Sequence, residues 1–86
     1  MYKVLFSKVA LKDIEKGRGT SINTKLKAFV DILKEDPYMN PPSNEKLVGD
    51  LSGLYSRGLN VKHRLVYEVD EKNKIVRVLS CWTHYN

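Results

Sequence analysis

The stretch KHRLVYEVDEKNKIVRVLSCWTH, residues 62–84, contains two β-type segments separated by the polar sequence DEKNK, residues 70–74. Between 62 and 69 every second side chain belongs to an apolar face that includes Leu65 and Tyr67, and the side chains between them are mostly polar. The polar sequence is typical of a hairpin loop. We therefore predict antiparallel strands at 62–69 and 75–84.

The first part of the chain predicts one strand and two helices. Residues 2–6, YKVLF, form a short β-type run, and Ser7 after them is a typical N-cap for a helix over 8–16 that ends at Gly17 and Gly19. The clearest helical periodicity follows and ends at Asp36, because Pro37 disfavours a helical conformation in the residue before it. Its apolar stripe consists of Ile22, Leu26, Phe29, Val30 and Leu33.

Residues 37–46, PYMNPPSNEK, predict a long irregular loop because three prolines oppose both helix and central strand. A further strand is expected to begin near Tyr55. The predicted order is β-α-α-β-β-β. This order indicates an α+β fold with two N-terminal helices packed on a curved antiparallel sheet, and 86 residues suffice for a single domain over 1–86.

Composition limits the function classes. The net charge of +5 favours polyanionic partners, of which nucleic acid is the commonest, although a mildly basic surface also serves solubility alone. One cysteine and two histidines offer no metal-binding spacing and no internal disulfide, so we expect no metal and no cofactor. The chain shows neither a membrane-length apolar run nor a signal peptide, and we expect a cytoplasmic protein without membrane contact.

The hairpin predicts where chemistry could occur. Pairing about the 70–74 loop places residues 62–64 beside residues 82–84, so that Arg64, His84 and Tyr85 converge at one edge. Strict alternation would put His84 on the same face as Val76 and Val78, and a bulge near Ser80 would re-aim it. By contrast, His63 falls on the apolar face, where a packing role is the better interpretation.

A site of this composition could cleave RNA without a metal ion. The 2′-hydroxyl is the nucleophile, and cleavage needs a base, an acid and cations beside the phosphate. Glu45 could be the base, His84 the acid and Arg64 the phosphate clamp, with Tyr85 orienting the phosphate or stacking on a base. Glu45 and His84 could also exchange roles. Without an alignment, each of these side chains also has a plain surface or packing interpretation.

The string EKLVGDLSGLYSRGLNVKHRLVYEV, residues 45–69, followed by WTHY at 82–85, resembles the YoeB/Txe toxins of the RelE superfamily. The resemblance implies a microbial-ribonuclease-like fold and an mRNA interferase that cleaves messenger RNA in the A site of the 30S ribosomal subunit. It implies the same catalytic set, namely Glu45, Arg64, His84 and Tyr85. It also implies RNA contacts by basic residues, for which we expect Arg57 and Lys62.

The same resemblance implies a bacterial cytoplasmic toxin whose partner is a YefM-like, Phd-type antitoxin. Operator DNA would be bound only through the antitoxin complex. The sequence does not decide between a monomer and a homodimer. Two positions depart from the family pattern: Gly58 stands where relatives often carry a second arginine, and Asn86 follows the terminal tyrosine. Two alternatives remain, a ParE-like inhibitor of DNA gyrase and a non-catalytic RNA-binding module.

Overall fold

The computed structural model describes residues 1–40, 42–47 and 53–82. It confirms an α+β fold in which two helices pack against one sheet. The elements are β1 (Lys3–Phe6), α1 (Lys8–Lys16), α2 (Ser21–Glu35), β2 (Glu45–Lys46), β3 (Leu54–Gly58), β4 (Arg64–Asp70) and β5 (Ile75–Ser80).

The sheet is mixed, which corrects the prediction of an antiparallel sheet. Its strand order is β1-β5-β4-β3-β2, and β1 pairs in parallel with β5, Lys3 lying opposite Ile75 and Phe6 opposite Val78. The other three pairings are antiparallel. Hairpin reasoning covers only strands that follow each other in the chain, so it could not place β1, whose partner lies about 70 residues further on.

Three strand boundaries also differ from the prediction. The expected loop 37–46 ends in strand β2. Both residues of β2 are exposed, so the sequence there has no alternation of apolar and polar residues that would predict a strand. Residues 62 and 63 precede β4 because Asn60 Oδ1 accepts the N–H groups of Lys62 (2.8 Å) and His63 (2.7 Å) and closes a tight turn. The last strand ends at Ser80. Residues 83–84 of the predicted strand lie outside the described residues.

Both predicted helices are confirmed at their expected positions. Ser7 caps α1, since its Oγ accepts the N–H of Ala10 at 3.0 Å, and the same hydroxyl donates to the carbonyl of Leu79 at 2.8 Å. Helix α2 ends at Glu35, and Asp36 is extended as expected before a proline. Its apolar stripe packs on the sheet face formed by side chains such as Leu65 and Tyr67, which confirms the predicted apolar face of β4.

Arg57 is the largest fully buried side chain among the described residues. Its Nη1 donates to the carbonyl of Pro42 at 2.6 Å, its Nη2 to the carbonyl of Pro37 at 3.0 Å, and its Nε to the Tyr67 hydroxyl at 3.1 Å. A buried guanidinium is tolerated only when such acceptors replace its water. Arg57 therefore ties the segment that begins at Pro37 to strands β3 and β4.

We expect Arg57→Met to lower the free energy of unfolding by about 3 kcal/mol or more, because it removes three hydrogen bonds from a charged donor, each worth about 1.5–3 kcal/mol. Arg77→Met is the matched control, since Arg77 is half-exposed and pairs with Glu68 (3.4 Å) and Asp70 (3.9 Å) at the surface. Such pairs contribute about 0–1 kcal/mol. Urea unfolding followed by circular dichroism measures both, and equal losses would contradict the structural role of Arg57.

Glu71 joins the N-terminus, the segment after α2 and the β4–β5 hairpin. Its carboxylate accepts hydrogen bonds from Lys74 Nζ (2.6 Å), the Tyr38 hydroxyl (2.6 Å) and the Tyr2 hydroxyl (2.8 Å). The Lys74 bond, followed by the two tyrosine bonds, lowers the pKa of Glu71 from its ordinary 4.5 to about 2. Burial and the contact with Glu71 raise the pKa of Tyr38.

Acid should weaken the fold through Glu71. Since the folded state holds this carboxyl at a lower pKa than the unfolded chain, the stabilisation is complete above pH 4.5 and is lost as the pH falls towards 2. Glu71→Gln should reduce the fall in stability over this range, and Lys74→Met should reduce it in part. Urea unfolding at a series of pH values tests this, and a profile unchanged in Glu71→Gln would contradict it.

Candidate active site

Glu45 and Arg64 meet on the face of the sheet that points away from the core. Arg64 Nη2 lies 3.3 Å from Glu45 Oε1, and the two side chains are 40% and 67% exposed. A pair so exposed adds little to stability. The structure thus brings two of the four predicted catalytic side chains together where a ligand can reach both.

The strand register explains why these two side chains meet. Glu45 lies opposite Ser56 in the β2–β3 pairing, and Arg64 lies opposite Gly58 in the β3–β4 pairing, so both share the face of Ser56. Ser56 is buried, and its Oγ accepts a hydrogen bond from Arg64 Nε at 2.5 Å. This bond holds Nε, so that the two terminal nitrogens of the guanidinium are left for other acceptors, and Nη2 contacts Glu45. Sequence reasoning missed Ser56, because only the β3–β4 register places it beside Arg64.

A polar pocket of about 320 Å³ adjoins the pair. The sheet contributes Glu45, Gly58 and Arg64 to its lining, and the other side consists of Lys25 and Phe29 from α2 with Pro42 and Ser43 from the preceding segment. Gly58 keeps this space open, since a Cβ there would already lie 3.5 Å from Arg64 Nη1 and a longer side chain would enter the pocket. The lysine and the phenylalanine were not among the predicted site residues.

His84 and Tyr85 lie outside the described residues, so their convergence with Arg64 stays a prediction. The strand that leads towards them contains a bulge at Leu79, because Tyr67 pairs with Val78 while Val66 pairs with Ser80. The sequence allowed a bulge near Ser80 without requiring one, and the structure has it at Leu79. It moves Ser80 onto the face of Val66 and Arg64, whereas strict alternation would have left it on the face of Val78.

Cys81 and Trp82 fasten the end of the described chain. The Cys81 N–H donates to Asp13 Oδ2 at 2.9 Å, and its thiol contacts the carbonyl of Ala10 at 3.7 Å. Burial, with Asp13 nearby, raises the pKa of the Cys81 thiol to about 12, so the thiol is unreactive at neutral pH. The Trp82 ring stacks on His63, with centroids 4.0 Å apart and planes at 30°. The expected packing role of His63 is confirmed.

The two residues expected to contact RNA differ in their exposure to solvent. Lys62 is exposed in the turn next to Arg64. Arg57 has no exposed surface, and all three of its nitrogens donate within the chain. An RNA contact by Arg57 therefore requires the segment at Pro37 and Pro42 to release it. Both contacts stay predictions.

Among residues 1–40, 42–47 and 53–82, no three His, Cys, Asp or Glu side chains are grouped closely enough to hold a metal ion. No helix in the same ranges is long and apolar enough to cross a membrane.

The sequence-family model of the YoeB-like toxins of bacterial type II toxin–antitoxin systems matches residues 6–85 of this chain. The chain belongs to this family. A Toxin YoeB from Synechocystis is 31% identical over 61 residues, which are 71% of this chain and 69% of that protein. The resemblance drawn from residues 45–69 and 82–85 is confirmed.

Solved structures of YoeB-type toxins share the fold. A YoeB/ParE toxin from Agrobacterium tumefaciens is 26% identical with a TM-score of 0.85, covering 96% of this chain and 99% of its own. The YoeB–YefM complex from Staphylococcus aureus contains a chain that is 28% identical with a TM-score of 0.82, covering 99% of both. The YoeB fold therefore extends over nearly the whole chain.

The position of the Trp82 ring in this YoeB-family protein depends on the absence of a side chain at Gly17. A Cβ on Gly17 would lie 3.2 Å from the Trp82 ring and 2.5 Å from Asn23 Oδ1, so Gly17→Ala should displace both side chains and lower stability by about 1–3 kcal/mol. Because Trp82 is the only tryptophan, its fluorescence should change as it leaves His63.

Gly19→Ala is the control for this prediction. Gly19 has a φ of +78° and no atom within 4 Å of an added Cβ, so its substitution strains the backbone while leaving the tryptophan emission unchanged. An identical emission spectrum in Gly17→Ala and wild type would show that the ring does not lie against Gly17.

Proposed function

We propose that this type II toxin is a ribosome-dependent endoribonuclease that cleaves messenger RNA in the A site of the 30S subunit and so arrests translation. The observation that carries the proposal is the exposed Glu45–Arg64 pair, 3.3 Å apart, at the edge of a polar pocket. Membership of the YoeB family supports it. The reaction we propose needs no metal ion.

Glu45 acts as the base and His84 as the acid. Glu45 Oε1 lies 3.3 Å from Arg64 Nη2, and a carboxylate oxygen is the group that accepts the proton in this reaction. Glu45 removes the proton of the 2′-hydroxyl, and the 2′-oxygen attacks the adjacent phosphorus. A 2′,3′-cyclic phosphate forms, the bond from phosphorus to the 5′-oxygen breaks, and His84 protonates that oxygen.

Arg64 stabilises the charge that grows on the phosphate. Ser56 already holds its Nε, so the guanidinium offers two terminal nitrogens to the phosphate oxygens without first losing much rotational freedom. An incoming phosphate competes with Glu45 for Arg64 and thereby frees the carboxylate to act as a base. Tyr85 orients the phosphate. Lys62 contacts the RNA backbone beside Arg64.

We propose that a YefM-like, Phd-type antitoxin neutralises this toxin and carries the operator-DNA contact of the complex. The S. aureus YoeB relative has been solved in complex with YefM, which supports this partner, and also as a YoeB dimer, which supports a homodimer. Ribosomes place the site of action in the bacterial cytoplasm.

Primer extension on a reporter mRNA in a bacterial translation extract tests the activity. Glu45→Ala, Arg64→Ala and His84→Ala should each lower the cleavage rate by about 10²–10⁴-fold, the range expected for loss of a positioned proton-transfer or charge-stabilising group. Glu68→Ala and Arg77→Ala are matched controls, because they remove a surface pair of similar geometry (3.4 Å) at another position in the same sheet.

Each result of this experiment has a clear meaning. Full cleavage by all three variants would refute the mechanism, and no cleavage by the wild type would refute the activity. In the second case, inhibition of supercoiling by purified DNA gyrase would favour the ParE-like alternative. RNA binding without either effect would favour a non-catalytic module.

A further inference from the structure

Lys25 adds a cation to the candidate site from the helical layer. It lies on α2, and its side chain is exposed. It lines the 320 Å³ pocket together with Arg64 and Glu45. Its Nζ lies 5.6 Å from the centroid of the Phe29 ring. None of the ion pairs found among the described residues involves Lys25.

The charge balance of the pocket depends on this lysine. Glu45 and Arg64 pair at 3.3 Å and neutralise each other in the free protein, so the net positive charge of the lining belongs to Lys25. The pair is also suited to a single phosphate, the one that is cleaved. An RNA strand that enters the pocket carries further phosphates, and each needs a cation or water.

The rest of the lining suits one nucleotide. Pro42 and the exposed edge of Phe29, a core residue that is 6% exposed, supply the apolar lining beside Lys25, and Ser43 adds a hydroxyl. A volume of about 320 Å³ is at the lower end of the range of about 300–1,000 Å³ for ligand pockets. By contrast, Lys27, two residues further along the same helix, lies beside a separate apolar groove lined by Phe6, Ile14 and Leu26.

We propose that Lys25, Phe29, Pro42 and Ser43 form a subsite for the nucleotide next to the cleaved bond in single-stranded RNA. Lys25 binds the phosphate of that nucleotide, and Pro42 with the exposed edge of Phe29 packs against its sugar or base. This inference rests on the proposed function, because it assigns a role within the same pocket.

Salt dependence of RNA binding tests the assignment. The probe is a short single-stranded oligoribonucleotide with 2′-O-methyl groups throughout, which has no free 2′-hydroxyl nucleophile, and fluorescence anisotropy measures its affinity at several NaCl concentrations. Each phosphate contact contributes about −0.7 to the slope of log K against log [NaCl] for single strands. Lys25→Gln should make the slope shallower by about 0.7, Lys25→Arg should restore it, and Lys27→Gln should leave it at the wild-type value.

Three results would overturn the subsite: coincident slopes for wild type and Lys25→Gln, no binding by the wild type, or equal losses of slope in Lys25→Gln and Lys27→Gln. Poly-glutamate is a further probe. If it binds as tightly as the RNA and Lys25→Gln weakens that binding, Lys25 belongs to a general anion patch and not to an RNA subsite. Cleavage in the translation extract separates the two proposals. If the wild type cleaves while the slopes coincide, only the subsite fails.

Discussion

The buried guanidinium of Arg57 is the constraint on which the site depends. A charge with no exposed surface requires acceptors in fixed positions, and these are the carbonyls of Pro37 and Pro42 and the hydroxyl of Tyr67. The carbonyls belong to a segment that is also held by Asn44 Nδ2, which donates to the carbonyls of Tyr38 and Met39, and by the Tyr38 hydroxyl, which donates to Glu71. With that segment held, the chain reaches β2 in register with β3, and Glu45 arrives beside Arg64.

Arg57 and Arg64 lie on neighbouring strands and show how one residue type serves two purposes. The side chain of Arg57 points into the core, where all three of its nitrogens have acceptors within the chain. Arg64 points to the opposite face, where Ser56 holds only Nε and the exposed carboxylate of Glu45 contacts Nη2. Strand alternation separates the two roles, since a change of one position in register would exchange the faces.

The sequence predicted those parts of the fold that depend on local chemistry. Both helices, the β4–β5 hairpin and the Ser7 cap follow from periodicity, prolines and capping residues. The parallel β1–β5 pairing and β2 could not be predicted, because both depend on partners elsewhere in the chain. For the candidate site, chemical reasoning predicted Glu45 and Arg64, which lie 3.3 Å apart, whereas Ser56 and the buried position of Arg57 required the register of β3.

The placement of Arg64 and the approach to His84 have one support in common. Trp82 stacks on His63, and His63 directly precedes Arg64 in the chain. The backbone of His63 is itself fixed by Asn60, and Cys81 is fixed by Asp13 of α1. A displacement of the 59–63 turn would therefore move Arg64 together with the point from which the chain continues to His84. Trp82 is therefore the point at which the described end of the chain is tied to the strand that carries the proposed phosphate clamp.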